Sequence, residues 1–138
     1  MSILGVCLSL AAAGAGATPV FVPGDRFTLA WTHSIEKVRW EEDYAVEQPP
    51  DSIRPRLRAL KARVRGSAAG MEPPEDAVFR SGWYEYQPVT WSPQGLRLTR
   101  SPYTADYEWC QKGQCQPLAR WLLSDGDITL LQPCSSAP

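Results

Sequence analysis

Residues 26–47 read RFTLAWTHSIEKVRWEEDYAVE, and their alternation decides the fold. Phe27, Leu29, Trp31 and His33 fall on one face of the first run, with Arg26, Thr28, Ala30 and Thr32 on the other. In the second run Val38, Trp40, Glu42, Tyr44 and Val46 share a face, opposite Arg39, Glu41, Asp43, Ala45 and Glu47. Side chains of a strand point alternately to its two sides, so this period of two predicts a pair of half-buried strands. Ser34-Ile35-Glu36-Lys37 between them fits a four-residue hairpin loop. A register that sets Trp31 against Trp40 and Leu29 against Glu42 brings both apolar rows to one side, as burial requires.

Downstream, Pro49-Pro50 and Pro55 interrupt regular structure. In LRALKARVR (residues 57–65) Leu60, Ala62 and Val64 alternate with Lys61, Arg63 and Arg65. Leu, Ala, Lys and Arg also form helices well. The strict alternation nevertheless predicts a strand, and leaves room for helix only as a short piece near 53–63. Residues 66–74 (GSAAGMEPP) read as a loop. Further strands are predicted at Trp83–Pro88, Leu96–Thr99, Tyr103–Cys110, Gln116–Leu123 and Ile128–Leu131. Pro93-Gln94-Gly95, Lys112-Gly113 and Asp125-Gly126 supply turns between them. Six tryptophans, five tyrosines and 13 prolines in 138 residues also suit short strands better than long helices. The expected architecture is a single all-β domain over residues 18–138, an antiparallel β-sandwich or β-barrel of about seven to nine strands.

The first 17 residues, MSILGVCLSLAAAGAGA, are wholly apolar or small. They end in Ala15-Gly16-Ala17, the A-x-A pattern that a signal peptidase accepts, although a basic n-region is missing. The pattern predicts a signal peptide at 1–17 and a periplasmic or otherwise exported protein. The alternative is an uncleaved N-terminal anchor, but the apolar stretch is shorter than the ~20 residues of a spanning helix. Nothing else in the chain could span a membrane, so no stable span is expected after leader removal. Export implies an oxidising compartment for the cysteines. Cys110 and Cys115 flank Gln-Lys-Gly-Gln, whose Lys-Gly centre can turn tightly and oppose them on paired strands, so this bridge is predicted. Cys134 is then without an obvious mate, unless it bridges to one of those two.

The polar end of the opening hairpin holds the candidate site: His33, Ser34, Glu36 and Glu42. In the expected register His33 and Glu42 stand about 13 Å apart along the strand, so they form no direct dyad. Ser34 follows His33 and points to the opposite face, which removes a Ser–His nucleophile pair as well. No workable nucleophile and base remain, and a non-enzymatic protein is expected. Two readings of the cluster compete. In one, His33 ends the row Phe27-Leu29-Trp31 and closes the rim of the core, its ring held by Glu36 or a group from another strand. In the other, these residues ring the mouth of a pocket for a ligand or partner. Glu42 is the odd residue, because a carboxylate on the Trp40/Tyr44 face is costly to bury without a partner. The chain has one histidine and no metal-ligand spacing, so no metal and no cofactor are expected.

Formal net charge is −1, which gives no general pull toward nucleic acid. The basic run Arg54, Arg56, Arg58, Lys61, Arg63 and Arg65 is expected instead to pair with the acidic face of residues 39–47. Gly66-Ser67-Ala68-Ala69-Gly70 lacks the ending of a phosphate loop and the spacing of a dinucleotide fingerprint. Its backbone amides, at Gly70 above all, remain a candidate anion cradle, with a plain turn as the simpler reading. The aromatic surplus (Trp83, Tyr84, Tyr86, Trp91, Tyr103, Tyr107, Trp109) is mostly core filling, with a sugar platform as the functional alternative.

His33-Ser34-Ile35-Glu36-Lys37 with Trp40-Glu41-Glu42, then Gly70-Met71-Glu72-Pro73, then Gly82-Trp83-Tyr84 resemble the domain-of-unknown-function 1850 family, over roughly Arg26 to Leu118. The resemblance implies a small bacterial protein of undefined activity, with genes often beside tripartite (TRAP-type) transporters whose solute receptor is of the TAXI type. An exported accessory protein that contacts the receptor or permease follows from it. It assigns no catalytic residue. One departure is Ala68 or Ala69 where the family's loop would carry a further glycine. Three function classes therefore stand: transporter accessory, small-ligand or carbohydrate binding β module, and, least favoured, hydrolase.

Overall fold

The computed structural model describes residues 3–14, 16–32, 38–66, 76–88 and 91–136. Among these, eleven strands run in two antiparallel sheets. The opening hairpin forms as the alternation requires, β3 at Arg26–Thr32 and β4 at Arg39–Glu47. Its register sets Trp31 opposite Trp40 and Leu29 opposite Glu42, as expected. The ambiguous segment is a strand, β5 at Arg56–Arg65, paired along β4 with a bulge at Asp43/Tyr44 that leaves Leu60 without an opposite number. Among the described residues the only helical pieces are 3-10 turns at Ala11–Ala13 and Leu118–Arg120, so none falls near 53–63.

The larger sheet continues through β6 (Val78–Arg80), β7 (Trp83–Tyr86), β9 (Glu108–Gln111) and β10 (Gln114–Pro117), in the order β10-β9-β3-β4-β5-β7-β6. The smaller sheet joins β1 (Ile3–Leu10), β2 (Val20–Pro23), β8 (Leu96–Thr99) and β11 (Ile128–Ser136), in the order β2-β1-β11-β8. The two inner faces meet in one core. Val6, Leu8, Val22, Leu98 and Leu131 pack from the smaller sheet against Phe27, Leu29, Tyr44, Leu57 and Trp109 from the larger. The fold is thus an all-β sandwich, with more strands than the seven to nine read from the sequence.

The additional strands have a simple origin. In ILGVCLSL both faces of β1 are apolar or small, so no alternation shows, yet Val6 and Leu8 are fully buried and β1 pairs with eight residues of β11. Residues 3–13, expected in a leader, are here β1 and the turn after it. β6 is only three residues long, too short to register as a pattern. Conversely, the strand expected from Tyr103 starts only at Glu108. Asp106 faces inward at the end of the preceding loop and accepts bonds from the backbone N–H groups of Tyr107 and Ala119. Pro117 then ends β10 at the 3-10 turn, short of the expected Leu123.

Each sheet carries one disulfide among the described residues. Cys110 and Cys115 are directly opposed on β9 and β10 and form the expected disulfide, with Lys112 and Gly113 both at positive φ in the turn between them. Cys134 is bonded to Cys7, not to Cys110 or Cys115 as the alternative had it. That pairing depends on β1 lying beside β11, which the reading of residues 1–17 as a leader had removed from consideration.

Candidate functional site

The two faces of β4 have opposite characters. On the outer face its carboxylates are met by cations from β5 and from β4 itself. Arg63 donates to Glu41 at 2.7 Å and to Asp43 at 2.9 Å, Arg39 bridges Glu41 and Glu108, and Thr28 donates its hydroxyl to Asp43 at 2.6 Å. Arg58 pairs with Glu47 and Lys61 with Glu85. Of the basic run, Arg56, Arg58 and Arg63 thus pair with the acidic face of β4, as expected. Lys61 pairs instead with Glu85 on β7, and Arg54 and Arg65 have no ion pair among the described residues. Such half-exposed pairs contribute little each, and their effect here is to lock register.

The inner face of the same strand holds Glu42, and among the described residues nothing cationic meets it. One transverse row crosses the sheet: Trp109, Leu29, Glu42, Ala62, Tyr86. The next row toward the hairpin end is Trp31, Trp40, Val64, Tyr84. Trp31 stacks on Trp40 with ring centroids 6.2 Å apart, and Tyr107 tilts against Trp31 at 6.0 Å. Glu42 accepts a 2.6 Å bond from the Tyr44 hydroxyl, its one hydrogen-bond partner among the described residues. Ala62, fully buried and small, stands between Glu42 and Tyr86 in this row.

Burial pushes the Glu42 carboxyl above the usual carboxylate range, and the Tyr44 bond pulls it back only in part. The effect is mutual. Burial first, and then the Glu42 charge, raise the phenols of Tyr44, Tyr86 and Tyr107, so these three groups stay neutral donors. Trp40 adds a buried indole N–H that has no partner among the described residues. Trp31, Trp40, Glu42, Tyr86 and Tyr107 are each only partly buried, so the described residues do not close this end of the core. The result is a carboxylate in an aromatic setting, with donors around it and no compensating charge among the described residues.

Of the sequence candidates, Glu42 is the one the structure describes. His33, Ser34, Glu36 and Gly70 lie outside the described residues. Tyr86 and Tyr107 belong to the site but were read only as part of the aromatic surplus. Their link to Glu42 depends on strand order, β4-β5-β7 for one and the loop before β9 for the other, which no local pattern encodes. Two clefts lie elsewhere. One of about 880 Å³ runs beside the Cys7–Cys134 bridge, between Pro49, Ile53, Arg54 and Pro93. Another of about 320 Å³ lies on the outer face beside Thr28, Asp43 and Arg63. No group of three or more His, Cys, Asp or Glu side chains among the described residues is arranged to hold a metal, and no helix among them is long and apolar enough to cross a membrane.

No curated protein and no solved structure matches the chain. A family model does, across residues 27–118, from the first buried ring of β3 to the buried Leu118 after β10. It covers more than half of the chain and includes the whole outer-face lattice and every residue of the Glu42 site. The chain therefore belongs to the family described as "Domain of unknown function (DUF1850)".

Proposed function

We propose that this protein is an exported, non-enzymatic binding module, an accessory partner of a TRAP-type transporter with a TAXI-type receptor, and that it grips a cationic group at the Glu42 end. The observation that carries the binding reading is the Glu42 carboxylate, held among Trp31, Trp40, Tyr86 and Tyr107 with a neutral phenol as its hydrogen-bond partner. Aromatic faces attract ammonium groups, and a carboxylate in the same low-dielectric setting adds the opposite charge. A ligand or partner side chain carrying an ammonium would supply the charge that the fold withholds. A sugar platform is less well supported, because among its candidates Trp109 is buried against Phe27 and Trp83 is covered by Arg65.

The transporter setting is supported by the gene neighbourhood that the family resemblance implies. Export is supported by the two disulfides, which suit an oxidising compartment. In this reading β1 stays with the folded protein, since a cut after Ala17 would remove buried Val6 and Leu8 and the Cys7–Cys134 bridge. Intact mass of protein recovered from the periplasm should therefore include residues 3–17. Tagged protein, expressed together with the receptor and membrane subunits encoded by its flanking genes, should retain one of them on affinity purification. Recovery of neither would overturn the transporter reading.

A further inference from the structure

The larger sheet ends in an edge strand with two exposed apolar side chains. β6 is entirely exposed, and it shows Val78 at 52% and Phe79 at 58% of full exposure. Phe79 lies on the core-side face, opposite Tyr84, which its ring touches at 4.8 Å. The facing sheet has four strands against seven, so Phe79 has no opposite layer to bury it. Among the described residues no strand pairs with the outer side of β6. Proteins usually blunt such an edge, and an exposed apolar one invites an added strand.

On the other face the same edge is basic. Arg80 stands opposite Trp83, and Arg65 stands on the far side of the same ring, its guanidinium 5.1 Å from the ring centroid. Arg63 reaches that ring too, at 6.0 Å, but Arg63 is already paired with Glu41 and Asp43. Arg65 and Arg80 have no carboxylate within ion-pair distance among the described residues. Arg65 thus lies over the Trp83 ring and Arg80 beside it in register, and neither is neutralised among the described residues.

The turn between β6 and β7 decides which backbone groups are on offer. Ser81 and Gly82 both have positive φ, as a two-residue hairpin turn requires. In such a hairpin the flanking pair, Arg80 and Trp83, exchange both backbone bonds, and the next pair directs its groups outward. Phe79 therefore turns its N–H and C=O away from β7, toward the open edge.

We propose that β6 is a docking edge for an extended segment of a partner protein, added as an eighth strand. Charge and face specify the segment. It carries an acidic residue opposite Arg80 and an apolar residue next to it, opposite Phe79. Backbone bonds at Phe79 give the strand addition, and the two unpaired arginines select the acid. This site is remote in kind from the Glu42 end and does not depend on what binds there.

The test uses the full chain and a fluorescent ten-residue peptide of alternating glutamate and valine, with an alternating lysine and valine peptide as its counterpart, read by anisotropy. The glutamate peptide should bind and the lysine peptide should not. Arg80→Glu should weaken binding about tenfold or more, the scale of one charge-assisted hydrogen bond. Phe79→Pro deletes the outward N–H while leaving the β6–β7 bonds intact, and should abolish binding. Phe79→Ala keeps that N–H and should bind weakly but measurably. Circular dichroism matched to wild type shows that each variant is folded. Three outcomes would overturn the proposal: equal binding of both peptides, unchanged binding by folded Phe79→Pro, or self-association of the wild-type chain through this edge.

Discussion

Arg100 and Glu42 are both turned into this sandwich, and they are treated in opposite ways. Arg100 is almost wholly buried, yet each face of its guanidinium is answered. Its Nε and Nη2 reach the two oxygens of Asp106, both at 3.0 Å, and its Nη1 donates to Thr129 at 3.2 Å. Asp106 in turn accepts from two backbone N–H groups. Glu42 is less deeply placed, and among the described residues it has only the Tyr44 hydroxyl. A buried charge that is fully partnered serves the fold, because its cost was settled when the chain folded. A charge left without a counter-ion is a standing cost that folding alone does not explain, and it is the kind of feature found where something else binds. The contrast between Arg100 and Glu42 is the main reason for placing function at the hairpin end.

The contrast can be broken most forcefully from its structural side. Asp106→Ala leaves Arg100 buried without its counter-charge and should destabilise the domain by about 3–5 kcal/mol in denaturant unfolding. A loss below 1 kcal/mol, roughly the value of an exposed pair, would mean that Arg100 finds water and is no different from Glu42. Next in size is the bridge that ties β1 to the core. Cys7→Ser with Cys134→Ser should cost about 2–4 kcal/mol, more than Cys110→Ser with Cys115→Ser, because the longer loop constrains the unfolded chain more. Equal losses for the two pairs would show that β1 is not held in the sheet as described.

The smallest expected effect is also the most diagnostic. The folded state holds the Glu42 proton to higher pH than the unfolded chain does. Between the two pKa values the folded state binds more protons, so its stability falls as pH rises through that window. The loss begins near the ordinary glutamate value, about 4.3, and is complete above the raised one. Glu42→Gln should remove this fall. Its melting temperature should drift above that of wild type as pH rises through the window, and the two should converge in acid. A constant offset at all pH values would show that Glu42 titrates normally.

Much of this was legible in residues 26–65. Alternation placed β3, β4 and β5 and fixed the Trp31–Trp40 register, because a one-residue slip would expose every apolar side chain on the row. The same alternation singled out Glu42 as a carboxylate on the wrong face. Cys110 and Cys115 could be paired because a turn of Lys112 and Gly113 makes them direct neighbours. What was not legible depends on contacts between distant segments. β1 lacks alternation and resembles a leader in composition, so its place beside β11, and with it the Cys7–Cys134 bridge, is visible only in three dimensions. Arg100 carries no local mark of burial, since its partners Asp106 and Thr129 come from a loop and from β11. Tyr86 and Tyr107 reach Glu42 across the sheet order, not along the chain.

The most direct measurement is calorimetric titration of the purified protein with choline, a small probe that combines an ammonium with little else, against sodium chloride at matched ionic strength. Wild type should bind saturably at neutral pH, with affinity falling as Glu42 is protonated in acid. Glu42→Gln and Trp40→Ala, both folded by circular dichroism, should each lose about tenfold or more, as expected when a desolvated cation loses its carboxylate or its aromatic wall. Absence of binding by wild type, or equal binding by wild type and Glu42→Gln, would contradict the assignment of the Glu42 end as a cation site.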